Sequence, residues 1–112
     1  MISYIRGELV FVGEDKVIVD VNGIGYGIFM PKQSMTFLPA IGNNVIIYTY
    51  LNVKEDAMQL YGFITKDDLE VFKLVIGVSG IGPKTAISLI QKYGTVEELY
   101  KKIEAAGGKA EV

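Results

Sequence analysis

The stretch VSGIGPKTAISLI (residues 78–90) begins apolar, breaks at Gly-Ile-Gly-Pro, and resumes with the spacing of a helix. Pro83 stands where a proline is tolerated, in the first turn, and Gly94 marks the end of the periodic segment. Four apolar residues between them form one stripe: Ala86, Leu89, Ile90 and Tyr93. The stretch therefore predicts a helix, a tight turn and a second helix.

A nucleotide-binding loop is the first site to test against this spacing. The Walker type needs a glycine, four residues, and then Gly-Lys-Ser/Thr between a strand and a helix. Gly77 and Gly82 have that spacing, but Pro83 occupies the lysine position and Lys84 follows one residue late. One residue turns a side chain by roughly 100° about the helix axis, so Lys84 would miss the phosphates. The sequence argues against a Walker loop.

The same turn fits a phosphate site of another kind. The first N–H groups of a helix have no partner inside it, and the helix dipole favours an anion there. Gly80 and Gly82 would let the backbone approach a phosphate closely, and Ile81 would fill the gap between the helices. Lys84 and Thr85 would add a charge and a hydroxyl on the same side. This is the helix-hairpin-helix mode of DNA backbone binding, and a plain corner between two helices is the alternative.

Upstream of this turn, residues 2–63 predict β structure. Apolar stretches with strand spacing alternate with turn residues, and they are SYIRGELVF, KVIVDV, GYGIFMP, NVIIYTYLNV and MQLYGF. In the first, Ile5, Leu9 and Phe11 are expected on one face. The fourth is apolar enough to be buried on both sides. Five short strands with many glycines favour a small closed barrel, because closure removes exposed edges.

After Phe63 the apolar residues recur with the spacing of an α-helix instead of that of a strand. Two threonines start helices in the manner of a capping box: Thr65 precedes Asp68, and Thr95 precedes Glu98, by three residues each. The chain thus divides into a β part near residues 1–63 and a helical part near residues 65–105.

Composition and charge narrow the class of function. The 112-residue chain has no cysteine and no histidine, which argues against a transition-metal site and removes the usual general base. It shows no signal peptide and no apolar run that could span a bilayer, so we expect a cytoplasmic protein without cofactors. Residues 1–64 carry four Lys/Arg and six Asp/Glu, a net −2, whereas residues 71–102 carry five Lys and two Glu, a net +3. This asymmetry hints at a basic working face in the second half.

Four segments carry a resemblance to a known family: MISYIRGELV, VDVNGIGYGIFMP, VKEDAMQLYGF and FKLVIGVSGIGPKTAISLI. Together they resemble the RuvA family of Holliday-junction-binding proteins, from residue 1 to about residue 103. The resemblance implies a mixed fold of two small domains, a five-stranded OB-fold β-barrel (residues 1–63) followed by an α-helical helix-hairpin-helix domain (residues 64–112). It also implies that the family's second hairpin motif and its motor-binding domain are absent here.

The resemblance also implies site residues and partners. The DNA-phosphate-binding role falls on Gly80, Ile81, Gly82 and Lys84, with Ser79 and Thr85 beside them. The family's acidic pin falls on Glu55 and Asp56. No catalytic residue, metal or cofactor is implied. The implied partners are four-way junction DNA, a RuvB-type motor ATPase bound through the missing domain, and a RuvC-type resolvase, and the implied assembly is a homotetramer.

The acidic pin has a physical rationale, since four copies of two carboxylates would place about eight negative charges around one axis and repel phosphates there. Two other functions stay open. One is an enzyme in which Glu55 and Asp56 hold Mg²⁺, which adjacent, diverging side chains disfavour. The other is a generic OB-fold module that binds single strands or proteins without junction selectivity. Its stacking aromatic residues would be Tyr48, Tyr50, Tyr61 and Phe63, although their spacing favours core packing.

Overall fold

The computed structural model describes residues 1–107, apart from the side chains of Val78 and Ser79. Five strands close into a barrel in the order β1-β2-β3-β5-β4. They are β1 (Tyr4–Val12), β2 (Lys16–Val21), β3 (Ile24–Phe29), β4 (Asn44–Val53) and β5 (Met58–Phe63). Neighbours pair antiparallel except β3 and β5, which close the barrel through a short parallel ladder. The predicted five-stranded closed barrel is confirmed.

Alternation along the strands fills the barrel interior. The fully buried residues of the barrel cluster are Leu9, Val17, Val19, Ile28, Met30 and Ile47. Gly62 lies where β5 passes close to this core, since a Cβ atom there would stand 2.5 Å from Ile47 Cγ2 and 2.6 Å from Ile28 Cγ2. A larger residue at this position would force the barrel wall outward.

Strand β1 departs from the predicted alternation. Its pairing with β2 shifts between Leu9 and Phe11, which marks a bulge. Because a one-residue shift turns the following side chains to the other face, Phe11 is 46% exposed while Ile5 and Leu9 point into the core. The expectation that Phe11 shares their face is wrong.

Strand β4 is buried on one face and not on both. Val45, Ile47 and Thr49 face the core, whereas Ile46 on the opposite face is 41% exposed. Further along, Tyr48 and Tyr50 pack against the helices that follow the barrel. The expectation of two-sided burial is therefore wrong, since the outer face is exposed at Ile46 and only half-buried at Tyr48 and Tyr50, and Val53 at the end of the strand is 64% exposed.

A short helix interrupts the segment that was expected to be a turn. Helix α1 (Lys32–Met35) follows Pro31, and its contacts with Gln91 tie it to the helical part. The Lys32 amide donates to Gln91 Oε1 (3.2 Å), and Gln33 Nε2 donates to the Gln91 carbonyl (2.9 Å). Because its support comes from a distant residue, local sequence does not reveal this helix.

Three longer helices follow: α2 (Lys66–Ser79), α3 (Pro83–Tyr93) and α4 (Val96–Ala105). Both predicted threonine caps are confirmed, since Thr65 Oγ1 accepts from the Asp68 amide and Thr95 Oγ1 from the Glu98 amide, each at 3.1 Å. No helix in residues 1–107 is both long enough and apolar enough to span a membrane.

One apolar cluster joins the helices to the barrel wall. Phe72 of α2 lies at its centre, with its ring 4.9 Å from that of Phe63 and 6.3 Å from that of Tyr61. The Tyr61 hydroxyl donates to Gln59 Oε1 (2.8 Å), and burial raises the pKa of Tyr61. The helices are therefore held in a fixed position on the barrel. The division into domains at residues 63 and 64 stays a prediction, and residues 108–112 of the second domain lie outside the described residues.

Candidate nucleic-acid interface

The turn between α2 and α3 uses its two glycines for different reasons. Gly80 ends α2 in the left-handed region (φ 73°, ψ 5°), where a side chain is strained. Gly82 precedes α3 with extended backbone (φ −75°, ψ 163°) that any residue can adopt. A Cβ atom at Gly82 would have no described heavy atom within 4 Å. What glycine provides at this second position is therefore open access to the helix terminus.

Within the described part of the chain, the backbone N–H groups of Lys84 and Thr85 at the start of α3 have no hydrogen-bond acceptor. Gly82 is the N-cap residue and has no side chain that could cap the helix, and Pro83 has no N–H. The Ala86 amide donates to the Gly82 carbonyl (3.0 Å), so the amides of Lys84 and Thr85 precede this first helical hydrogen bond. Because the first turn also contains no acidic residue, the helix dipole there is not compensated.

Lys84 adds a full positive charge at this terminus. Its side chain is exposed, and Nζ lies 5.4 Å from the ring centroid of Phe29 on the barrel. Among the described residues, ion pairs join Lys73 to Glu70 (3.6 Å) and Lys101 to Glu98 (3.9 Å), and neither involves Lys84. The charge at the turn is thus available to an anion.

The other residues predicted for the phosphate site divide into three cases. Ile81 is half-buried and packs against the helical cluster, as expected of a plug between two helices. Thr85 is exposed in the first turn of α3, beside Lys84. The side chain of Ser79 lies outside the described residues, so its role stays a prediction.

The predicted acidic pin lies on a different element. Glu55 and Asp56 are exposed in the turn between β4 and β5, which the Lys54 amide closes by donating to the Ala57 carbonyl (2.7 Å). Within residues 1–107, no group of three or more acidic, histidine or cysteine side chains could hold a metal. The two carboxylates form an exposed negative tip, and the structure does not bring them together with the turn at Gly80–Gly82.

The four aromatic residues considered for base stacking are not placed for that role. Tyr61 and Phe63 are each 1% exposed, and Tyr48 and Tyr50 are half-buried against the helices. Their rings belong to the contact between barrel and helices, as their spacing favoured.

One contact of the site was not predicted from the sequence. Phe29 on β3 meets Lys84 because the helical part folds back onto the barrel, which no local pattern encodes. The single available signal was an aromatic residue at the end of a strand, in the segment GYGIFMP.

Comparison with known proteins agrees with this geometry. Residues 1–62 match the family model described as RuvA N terminal domain, and residues 72–106 match the model described as SAM-like Helix-hairpin-helix tandem. The chain belongs to the RuvA family. The resemblance predicted from the sequence is confirmed.

Relatives from three bacteria carry the same name, Holliday junction branch migration complex subunit RuvA. The protein of Lachnospira eligens is 52% identical over 90 residues, which cover 80% of this chain and 44% of the relative. That of Chloroherpeton thalassium is 46% identical over 110 residues, covering 98% and 54%, respectively. That of Thermoanaerobacter sp. is 40% identical over 110 residues, covering 98% and 58%. The chain spans about half the length of the curated relatives it matches.

Proposed function

We propose that this chain binds DNA backbones without regard to base sequence and selects four-way (Holliday) junctions in recombination and repair. In this role it is a non-catalytic subunit that targets a separate ATP-driven motor to the junction. The observation that carries the proposal is the start of α3, which is uncapped, free of acidic residues and equipped with Lys84. The names of its relatives support the choice of junction DNA as the substrate.

The backbone grip follows from hydrogen bonding and charge. A phosphate at the turn accepts hydrogen bonds from the amides of Lys84 and Thr85 and gains from the helix dipole. The Lys84 ammonium adds a charge-assisted contact and releases a counterion from the DNA. Such contacts fix the position of a duplex arm but carry no base information, so the grip suits any sequence.

Selection of a four-way junction requires several such phosphate contacts arranged around the point where the strands cross. We propose a homotetramer in which the Glu55–Asp56 turns surround the crossover, where their negative charge repels phosphates and keeps strands apart. The exposure of both carboxylates supports this role. The proposal extends to a RuvB-type motor and a RuvC-type resolvase as partners, and to the cytoplasm as the compartment. The words "branch migration complex subunit" in the relatives' names support the existence of a larger assembly.

The test is a gel-shift titration of four-way junctions and linear duplexes that share the same arm sequences. We expect tighter binding to the junction, and solution mass measurement with and without the junction gives the number of chains bound. The Lys84→Ala variant should weaken binding to both DNA forms and make the slope of log K against log salt less negative by about 1 per site.

Lys92→Ala is the matched control, because Lys92 lies on the same helix at its opposite end. It should leave the affinity and the salt slope close to those of the unmodified chain. Equal affinity for junction and linear duplex would remove the claim of junction selectivity, and an unchanged affinity of Lys84→Ala would remove the claim that this turn binds phosphate.

A further inference from the structure

We propose that Phe29 of the barrel is a positioning residue for Lys84, so that the barrel wall directs the phosphate-binding lysine of the helical part. This inference rests on the proposed function, since it concerns the same phosphate site. It starts from the distance of 5.4 Å between Lys84 Nζ and the Phe29 ring centroid. A cation over an aromatic face at this distance is attracted by the ring quadrupole.

The Phe29 ring is itself held in place. It stacks on Tyr61, with centroids 5.6 Å apart and planes at 28°, and Tyr61 stacks in turn on Phe72 of α2 at 6.3 Å. Phe29 and Tyr61 are also paired in the short parallel ladder that closes the barrel. The sheet thus fixes the backbone of Phe29, and the buried side chain of Tyr61 covers one face of its ring.

A fixed ring beside a flexible lysine has a consequence for binding. Lysine has many rotamers, and confining it in a complex opposes association. The ring contact confines Lys84 before DNA arrives, while the ammonium keeps N–H donors for a phosphate oxygen. Because Lys84 lies in the first turn of α3, the confined charge stays near the uncapped amides of that turn. Phe29 therefore contributes to affinity without touching DNA.

The ring contact can be tested without DNA by NMR of the lysine side chains. The Phe29 ring current should displace the ε-methylene protons of Lys84 upfield relative to those of Lys66, an exposed lysine in the first turn of α2. Phe29→Leu, which keeps an apolar side chain but removes the ring, should abolish the displacement, and Phe29→Tyr should keep it. Identical Lys84 shifts in the unmodified chain and in Phe29→Leu would overturn the proposal.

A double-mutant cycle tests the consequence for DNA binding. Loss of an exposed cation–π contact predicts about two- to fivefold weaker junction binding for Phe29→Leu, and Phe29→Tyr should restore it. In a Lys84→Ala background, Phe29→Leu should cause no further loss, because the group it positions is already absent. Thermal unfolding of each variant identifies the temperature range in which all of them are folded.

Tyr93→Leu is the matched control, since Lys92 Nζ lies at the same 5.4 Å from the Tyr93 ring, away from the turn. It should leave junction affinity unchanged. If Lys84→Ala weakens binding and Phe29→Leu does not, the positioning role is wrong and the proposed function stands. If Lys84→Ala has no effect on junction affinity, both the positioning role of Phe29 and the proposed phosphate site are wrong. Equal loss from Phe29→Leu with and without Lys84 would show that the ring acts through the barrel fold, which also overturns the proposal.

Discussion

Helices α3 and α4 follow one another in the chain, yet their first turns have opposite chemistry. Helix α4 begins at a threonine whose side chain accepts a hydrogen bond from the Glu98 amide, and it has acidic residues at its second and third positions. Helix α3 begins at a glycine with no side-chain cap, and it has Lys84 and Thr85 at those positions. Side chains at the start of α4 therefore bind a first-turn amide and offset the helix dipole. The start of α3 has no such side chains, so a bound anion would take both roles.

Helix α2 shows which of the two patterns stability favours. It begins at Thr65, whose hydroxyl accepts from the Asp68 amide at 3.1 Å, and it too has acidic residues in its first turn. Among the three longer helices, α2 and α4 therefore use the stabilising arrangement and α3 does not. The short helix α1 also lacks a side-chain cap from its N-cap residue, but Gln91 Oε1 accepts from its Lys32 amide. The missing cap and the missing acidic residues at the start of α3 support the proposal that this helix terminus binds phosphate.

The largest effect on junction binding is expected when α3 is given a capping, acidic side chain at its N-terminus, as α4 has. In Gly82→Asp the new carboxylate would cap the first-turn amides and repel a phosphate. We expect junction binding to weaken about tenfold or more. The free energy of unfolding should stay the same or rise by a few tenths of a kcal/mol, since the backbone at Gly82 is extended and a Cβ there meets no described atom within 4 Å. Gel shifts and urea unfolding on the same samples measure both.

Gly82→Asn is the control that separates capping from charge. Asparagine caps a helix as well as aspartate does, but it is neutral. The junction affinity of Gly82→Asn should therefore lie between the affinities of the unmodified chain and of Gly82→Asp. Binding of Gly82→Asp at the affinity of the unmodified chain would contradict the assignment of this terminus as the phosphate site.

The reverse change, removal of a cap from α4, should act on stability and not on DNA. Thr95→Ala loses the hydrogen bond to the Glu98 amide, and we expect the free energy of unfolding to fall by about 1 kcal/mol. Junction affinity should be unchanged at temperatures where the variant is folded. Thr95→Ser, which retains a capping hydroxyl, should recover most of the stability. A loss of affinity in Thr95→Ala without unfolding would mean that α4 belongs to the interface.

These features were predictable from the sequence where a local pattern determines them. The caps at Thr65 and Thr95 and the first-turn Pro83 each depend on a few neighbouring residues, and the structure has them as expected. The number of strands followed in the same way from apolar spacing and turn residues.

The features that the sequence did not predict depend on distant parts of the chain. The bulge that exposes Phe11 arises from the register between β1 and β2, and helix α1 is held by Gln91. The contact between Phe29 and Lys84 exists because Phe72 docks α2 onto the barrel. Each needs the tertiary fold before it can form. The roles assigned to Glu55 and Asp56 came from family resemblance, and they stay predictions.

The smallest effect is expected at Thr85, which occupies the position that Glu98 has in α4. Thr85→Val keeps the β-branched shape and removes the hydroxyl, so the helix should be as stable as before within a few tenths of a kcal/mol. An exposed hydroxyl exchanges water for phosphate with little net gain, and we expect junction binding to weaken about two- to threefold. The slope of log K against log salt should not change, because no charge is removed and no counterion release is lost. Lys84→Ala is expected to change that slope, so the two variants separate hydrogen bonding from charge in neighbouring residues. A salt slope altered by Thr85→Val would mean that the substitution displaces Lys84, and the hydroxyl would then have no separate role in holding the phosphate.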